Sequence, residues 1–461
     1  MRRGWPLLVL LAWGVLCFGA VYPWAYWPLF AAAAALGLTG VARDRAWRDP
    51  RLARLLLALA VLCGAIAIQT VALPSWLVTT LSPGVDRFFR EFRLGYHPAD
   101  LNALSLDPAA TRVVLAEVVA FGLLLVGAAR LVRRWSLEWL IGQVMMLAVA
   151  VAVVGIVQAA ILDADVDRIY GFWTPRQGGA IFGPFVNRNH FAGWMLMLLP
   201  VVAAYGWALL VQAPDAARRG GRAWGRWLGS PDGNRVLLAL ASLLIMTAAL
   251  VLTGSRSGIA AGAIAIVAFA GFLWRGLRGA PRLVVTTAVV GVFVAAMLWS
   301  GPGAVAARFG RASDDVGGRL SAWRDTGRII SDFPIVGTGL GGYRRAMLIY
   351  QTRDREAFYA QAHNDYLQLV AEGGLLVTIP AVLVAGVLIL GIGRRLRSGD
   401  ESPMTYWIRR GAVAGLIGIA AQSVVEFSLQ MPGNAVLAVA LAAVAVHRPR
   451  APLHSSHAHR V

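Results

Sequence analysis

The densest polar signal in an otherwise apolar chain is Gln361-Ala362-His363-Asn364-Asp365-Tyr366-Leu367-Gln368-Leu369-Val370-Ala371-Glu372-Gly373-Gly374. On a helix advancing ~100° per residue, with Asn364 as origin, Gln368, Glu372 and Asp365 fall at about 40°, 80° and 100°. They form one polar stripe. Facing lipid, such a stripe would leave polar groups without partners, so it must face protein or a wet cavity. His363 and Asn364 stand at the helix start, where free N–H groups and the helix dipole favour an anion. Capping by Asn364 or Asp365 explains the first residues but not Gln368 and Glu372.

Three further clusters carry chemistry. Thr253-Gly254-Ser255-Arg256-Ser257-Gly258 puts a cation between two apolar runs. Arg319 and Trp323, four residues apart, share a helix face, with Arg324 beside them. A glycine-rich stretch, Gly337-Thr338-Gly339-Leu340-Gly341-Gly342, follows; its backbone can approach a ligand closely. No strand–helix–strand context surrounds it, which excludes a dinucleotide fingerprint. Gly183-Pro184-Phe185-Val186-Asn187-Arg188-Asn189-His190 is the last cluster, with Asn187, Arg188, Asn189 and His190 at the start of an apolar run. The surplus of arginine suits a phosphate-bearing partner held by bidentate contacts. Glu117, Arg256, Glu372 and Glu426 all fall toward one membrane face. That pattern fits a site at the surface better than a transport site at the midplane. Glu117 and Glu426 read first as interhelical hydrogen-bonding groups.

These residues need a membrane scaffold. Of 461 residues, 58% are hydrophobic and 15% charged, far from the roughly 45–50% and 25% of soluble domains. Disordered, disulfide-scaffold and ordinary soluble classes are excluded. Twelve candidate spans lie near 5–21, 24–41, 52–72, 111–131, 137–162, 190–211, 236–254, 257–274, 283–300, 366–392, 410–429 and 434–447. The predicted fold is all-α, a polytopic bundle of about 12 spans. Residues 1–300 hold spans one to nine with an outer loop at 73–110. Residues 301–365 form a large, partly helical outer loop, 366–447 hold spans ten to twelve, and 448–461 form a tail. The net charge of +19 comes from 43 basic residues, all arginine. Of these, 26 fall in short segments that share one side if the N-terminus is inside. By the positive-inside rule both termini are cytoplasmic, and the charge is a topology signal, not a nucleic-acid footprint. Cys17 and Cys63 lie within apolar runs and read as small apolar residues. No metal site is expected; the histidines of the tail (His454, His457 and His459) read as solvated.

In kind and order these pieces resemble the O-antigen ligase and polymerase superfamily. The resemblance covers about residues 183–374: the Gly183–Ala192 segment, Thr253–Gly258, Arg319 with Trp323, Pro334 with Gly337 and Gly339, and His363-Asn364-Asp365-Tyr366-Leu367 with Glu372. It implies a metal- and cofactor-independent glycosyltransferase of lipopolysaccharide or exopolysaccharide biosynthesis, in a bacterial inner membrane with its active site periplasmic. The donor it implies is a glycan on undecaprenyl pyrophosphate. The acceptor is lipid A–core, another lipid-linked glycan or a protein. The family's functional positions fall on Arg256, Arg319 and His363, and none of the three motifs departs from the pattern. Two arginines would neutralise the pyrophosphate as the anomeric C–O bond breaks. His363 is the first candidate base and Glu372 the second. Asn187, Arg188, Asn189, His190, Ser255, Trp323, Arg324, Gly339, Asn364, Asp365 and Gln368 are expected to line the substrate site. The alternative is a secondary transporter or flippase for a lipid-linked or anionic solute, which would require polar groups along both halves of its path.

Overall fold

The computed structural model describes residues 4–43, 45–97, 99–161, 168–175, 180–214, 221–276, 318–352, 358–398 and 401–448. The expected span at 283–300 lies outside them, as does nearly all of the tail. The described residues form α1 (Trp5–Leu16), α2 (Pro23–Arg43), α3 (Pro50–Ile68), α4 (Ser75–Leu81), α5 (Pro83–Phe92), α6 (Pro108–Leu131), α7 (Leu137–Ile161), α8 (Arg188–Val211), α9 (Gly221–Leu228), α10 (Pro231–Leu252), α11 (Arg256–Gly276), α12 (318–332), α13 (Tyr343–Tyr350), α14 (Asp365–Leu396), α15 (Pro403–Gln422) and α16 (Pro432–Val446). Two short strands, β1 (Ala72–Pro74) and β2 (Leu101–Ala103), pair antiparallel with Ala72 opposite Ala103. The fold is all-α and polytopic. Among the described residues eight helices are long and apolar enough to cross a membrane: α2, α3, α6, α7, α8, α10, α11 and α14. α1 and α16 are apolar but shorter.

Many helix starts follow one chemical recipe. Asp49, Asp107, Ser230 and Ser402 each cap a helix whose first residue is proline. The side-chain oxygen takes an orphan N–H, and proline has none to lose. α8 is enclosed by its neighbours, with Trp194, Met195, Leu196 and Met197 fully buried. It lies close against α15 because Gly411 and Gly415 present no side chain to the carbonyls of Pro200 and Met197. Gly37 and Gly40 bring α2 against the backbone of α6 at Leu123 and Gly127 in the same way.

The described parts of the two long loops share one core. Val78, Val85 and Phe89 from the first share a core with Ile329, Phe333, Tyr343 and Met347 from the second. This cap sits over one end of the bundle. α14 ties the two together and is not continuous. At Gly374 φ is +52° and ψ is −159°, a region essentially reserved for glycine. The break frees backbone groups that the 334–340 loop takes up. Thr338 and Gly339 N–H donate to the Ala371 and Glu372 carbonyls at 3.0 Å, while Leu375 and Leu376 N–H donate to Pro334 and Ile335. Gln69, fully buried at the end of α3, donates to the Val336 carbonyl at 2.7 Å and the Glu372 carbonyl at 3.0 Å. The polar stripe from 364 to 372 therefore rides on a short helical segment bound to the cap, not on an uninterrupted span.

Candidate active site

The Glu426 carboxylate lies between α15 and α16 with no solvent exposure. A buried charge survives only among donors, and four separate segments supply them. Arg319 Nη2, from α12, donates to Oε1 at 2.6 Å. Asn189 Nδ2, from the first turn of α8, donates to the same oxygen at 2.8 Å, and Ser257 Oγ, from the start of α11, lies at 3.4 Å. His363 Nδ1 faces Oε2 at 3.7 Å. Neither Nδ1 nor Oε2 has a hydrogen-bond partner among the described residues.

Each donor is aimed by its own local structure. Asn187 caps α8 by accepting from the Asn189 N–H at 2.8 Å, which turns the Asn189 side chain toward the bundle. Ser255 accepts from the Gly258 N–H and so starts α11, leaving Ser257 inward and Arg256 exposed at the first turn. Arg188, also exposed, places its guanidinium beside the Gly254 turn. His363 holds a left-handed backbone with φ +48°. Such strain in a non-glycine residue persists only where the surroundings over-determine it. Here Trp323 Nε1 donates to the Ala362 carbonyl at 2.8 Å, Gln368 Oε1 accepts from the Ala362 N–H at 2.9 Å, and Asn364 caps α14 through the Leu367 N–H. Phe427 stands edge-on to both His363 and His190, at 4.9 Å and 4.7 Å between ring centres.

A second network runs along the other side of α14. Asp365 Oδ1 accepts from Gln430 Nε2 at 2.9 Å. Gln368 Nε2 donates to Gln430 and to Glu372, each at 3.2 Å. Glu372 Oε1 also accepts from the Tyr343 N–H at 3.0 Å. Glu372 thus anchors the start of α13, apart from Arg319 and His363. Gly339 packs on Ser105 within the cap. Arg324 is exposed beside Trp323.

Of the expected site residues, the structure joins Asn189, Arg319 and His363 directly. Asn187, Ser255, Trp323, Asn364 and the Ala362 side of Gln368 act as their supports. Sequence reasoning missed Glu426 as the common partner, along with Ser257, Gln430 and Gln69. Glu426 did carry a signal, because it is the only acid between Glu401 and the C-terminus. Its position at a helix end suggested an ordinary interhelical contact.

The fold and the site define a multi-pass membrane protein with an arginine- and histidine-bearing polar centre beneath an extramembrane cap. Residues 241–382 match the family model described as O-antigen ligase. That segment contains Arg256, Arg319, His363 and Glu372. Asn189 and Glu426 lie outside it. No curated protein matches the chain. The family implies transfer of lipid-linked glycans by an enzyme of ligase or polymerase type. Among the described residues no group of three or more His, Cys, Asp or Glu is arranged to hold a metal ion.

Proposed function

We propose that the chain transfers a glycan from a polyprenyl-pyrophosphate donor to an acceptor hydroxyl at the periplasmic face, as an O-antigen ligase or a polysaccharide polymerase. The observation that carries this reading is the convergence of Asn189, Ser257, Arg319 and His363 on the one buried carboxylate of Glu426. Motifs scattered over the sequence share a single centre, and that centre is rich in anion-binding and proton-accepting groups.

The acceptor oxygen forms a bond to the anomeric carbon. The bond from that carbon to the pyrophosphate oxygen breaks, and its electron pair leaves with the pyrophosphate. Arg256 and Arg319 neutralise the charge that grows on the leaving group, which takes the role a metal ion has elsewhere. His363 accepts the acceptor proton. With Nδ1–H directed at the Glu426 carboxylate, the basic nitrogen is Nε2, and the negative partner stabilises the imidazolium that forms. Glu426 is a positioning residue for both His363 and Arg319. We assign Glu372 a positioning role as well, since its carboxylate is used on Gln368 and the Tyr343 N–H.

The test is complementation with His363→Ala, with lipid-linked and acceptor-linked glycan profiled together and protein quantified by blot. Loss of polymer on the acceptor, with lipid-linked glycan accumulating, supports the proposal. Long stranded chains mark a ligase, and stranded single repeats mark a polymerase. An unchanged profile with the protein present overturns it.

A further inference from the structure

α14 leaves the candidate site at Asp365 and ends in Arg394 and Arg395 at the opposite face of the bundle. There it meets the start of α3 and the ends of α6 and α16. A recess of about 60 Å³ lies between the four helices. Among the described residues seven arginines line it, including Arg51, Arg54, Arg394, Arg395 and Arg448, against one lining carboxylate, Asp49. Asp49 is engaged with Arg130 at 3.4 Å, so it neutralises little of the surplus. His447 also stands in the wall, buried, with its ring Nδ1 at 2.6 Å from the Val444 carbonyl.

The inner side of the recess is apolar, formed by Leu52, Leu55, Ala129, Val387 and Leu388. Leu388 also borders a larger cavity of about 560 Å³ between the same helices, walled by Leu59, Phe121, Leu125, Val384 and Val439. The two cavities share Leu388 as a common wall, the first bordered by arginines and the second largely apolar. The far end of the larger compartment carries Glu117, Asp365 and Glu372, so an anion is favoured only at the arginine end.

An excess of arginine at one membrane face is a general topological feature. It does not account for arginines from four elements converging on a recess that shares a wall with an apolar cavity. We propose that these two cavities together bind an anionic phospholipid, with the phosphate headgroup on the arginine recess and an acyl chain running past Leu388 into the apolar compartment. The recess has room for a phosphate-sized group, equivalent to a few waters, rather than for a nucleotide. The chain compartment separates a lipid from free phosphate. The headgroup end lies at the opposite end of α14 from His363 and Arg319, so the proposal does not rest on the glycan-transfer reading.

The experiment uses the full chain, delipidated in detergent and titrated with phosphatidylglycerol, with phosphatidylcholine, or with soluble glycerol phosphate. Adducts are read by native mass spectrometry and thermal protection is read in parallel. Phosphatidylglycerol should be retained and should raise the melting temperature, while the zwitterionic lipid and glycerol phosphate should do neither. The paired variant Arg394→Gln with Arg395→Gln should bind phosphatidylglycerol roughly thirtyfold more weakly, at about 1 kcal/mol for each arginine near a lipid phosphate. Leu388→Trp, which obstructs the chain compartment and leaves every arginine in place, should also weaken it. Equal retention of the two lipids by wild-type protein overturns the proposal without reference to any variant. Protection by glycerol phosphate equal to that by lipid also overturns it, in favour of a free-anion site.

Discussion

Glu426 sits at zero exposure among donors that arrive from four different segments, and that arrangement sets what each substitution should do. Arg319→Ala leaves a buried carboxylate without its strongest partner, which costs up to about 3 kcal/mol of stability and removes one of the two cations proposed for the leaving group. Arg319→Lys restores charge but not the planar fork, so it should recover folding, read as melting temperature in detergent, and little transfer. Full recovery of transfer by lysine would show that charge alone suffices. Glu426→Gln keeps the shape of the side chain and removes its charge, so the melting temperature in detergent should fall as Arg319 loses its ionic partner. An unchanged melting temperature would remove the buried ion pair from the account. The chemistry-bearing residues themselves were legible in the sequence, since a cation or histidine beside an apolar run has a cost that needs a reason. Their shared partner was not, because one acid at a helix end has the same pattern whether it bonds one neighbour or four.

At the scale of elements, the decisive piece is the broken helix α14. Helical periodicity placed Asn364, Asp365, Gln368 and Glu372 on one stripe, and the first two turns of α14 keep that stripe. The break after Glu372 was invisible to periodicity, because Gly373-Gly374 in an apolar run is equally at home in a close helix contact. What demands the break is tertiary. The 334–340 loop, held by Gln69, must find carbonyls and N–H groups to bond, and only an opened turn offers them. Gly374→Ala should therefore do more than add a methyl. Its φ of +52° is strained for any L side chain, and a Cβ there would meet the backbone of Ile335 and Gly337. We expect a loss of at least about 2 kcal/mol, with the cap released from α14 and rapid proteolysis within 334–342. Gly64→Ala is the matched control, since a Cβ at Gly64 meets nothing within 4 Å. Equal behaviour of the two variants would mean that the break is dispensable. The joining of the two long loops into one cap escaped the sequence for a similar reason, as Val78 and Phe333 are apolar residues in segments far apart in the chain.

Across the whole molecule, charge and chemistry are sorted to opposite ends. The cap, His363 and Arg319 sit at one end of α14, and Arg394 and Arg395 sit at the other. Arginine in short connections is retained on the cytoplasmic side, so this separation argues for a cap on the outer side and an arginine recess on the inner one. Gly225, in the short amphipathic helix α9, and Leu348, 71% exposed on α13 of the cap, are then on opposite sides of the membrane. Cys17 and Cys63 are the only native cysteines, which makes the test direct. In a background with both changed to alanine, Gly225→Cys and Leu348→Cys are exposed in turn to a membrane-impermeant maleimide on spheroplasts. Leu348→Cys should react in intact spheroplasts and Gly225→Cys only after lysis. Reaction of both before lysis would sink this orientation. Reaction of Gly225→Cys alone would invert it, placing the His363 centre on the cytoplasmic side and the arginine recess on the outer one.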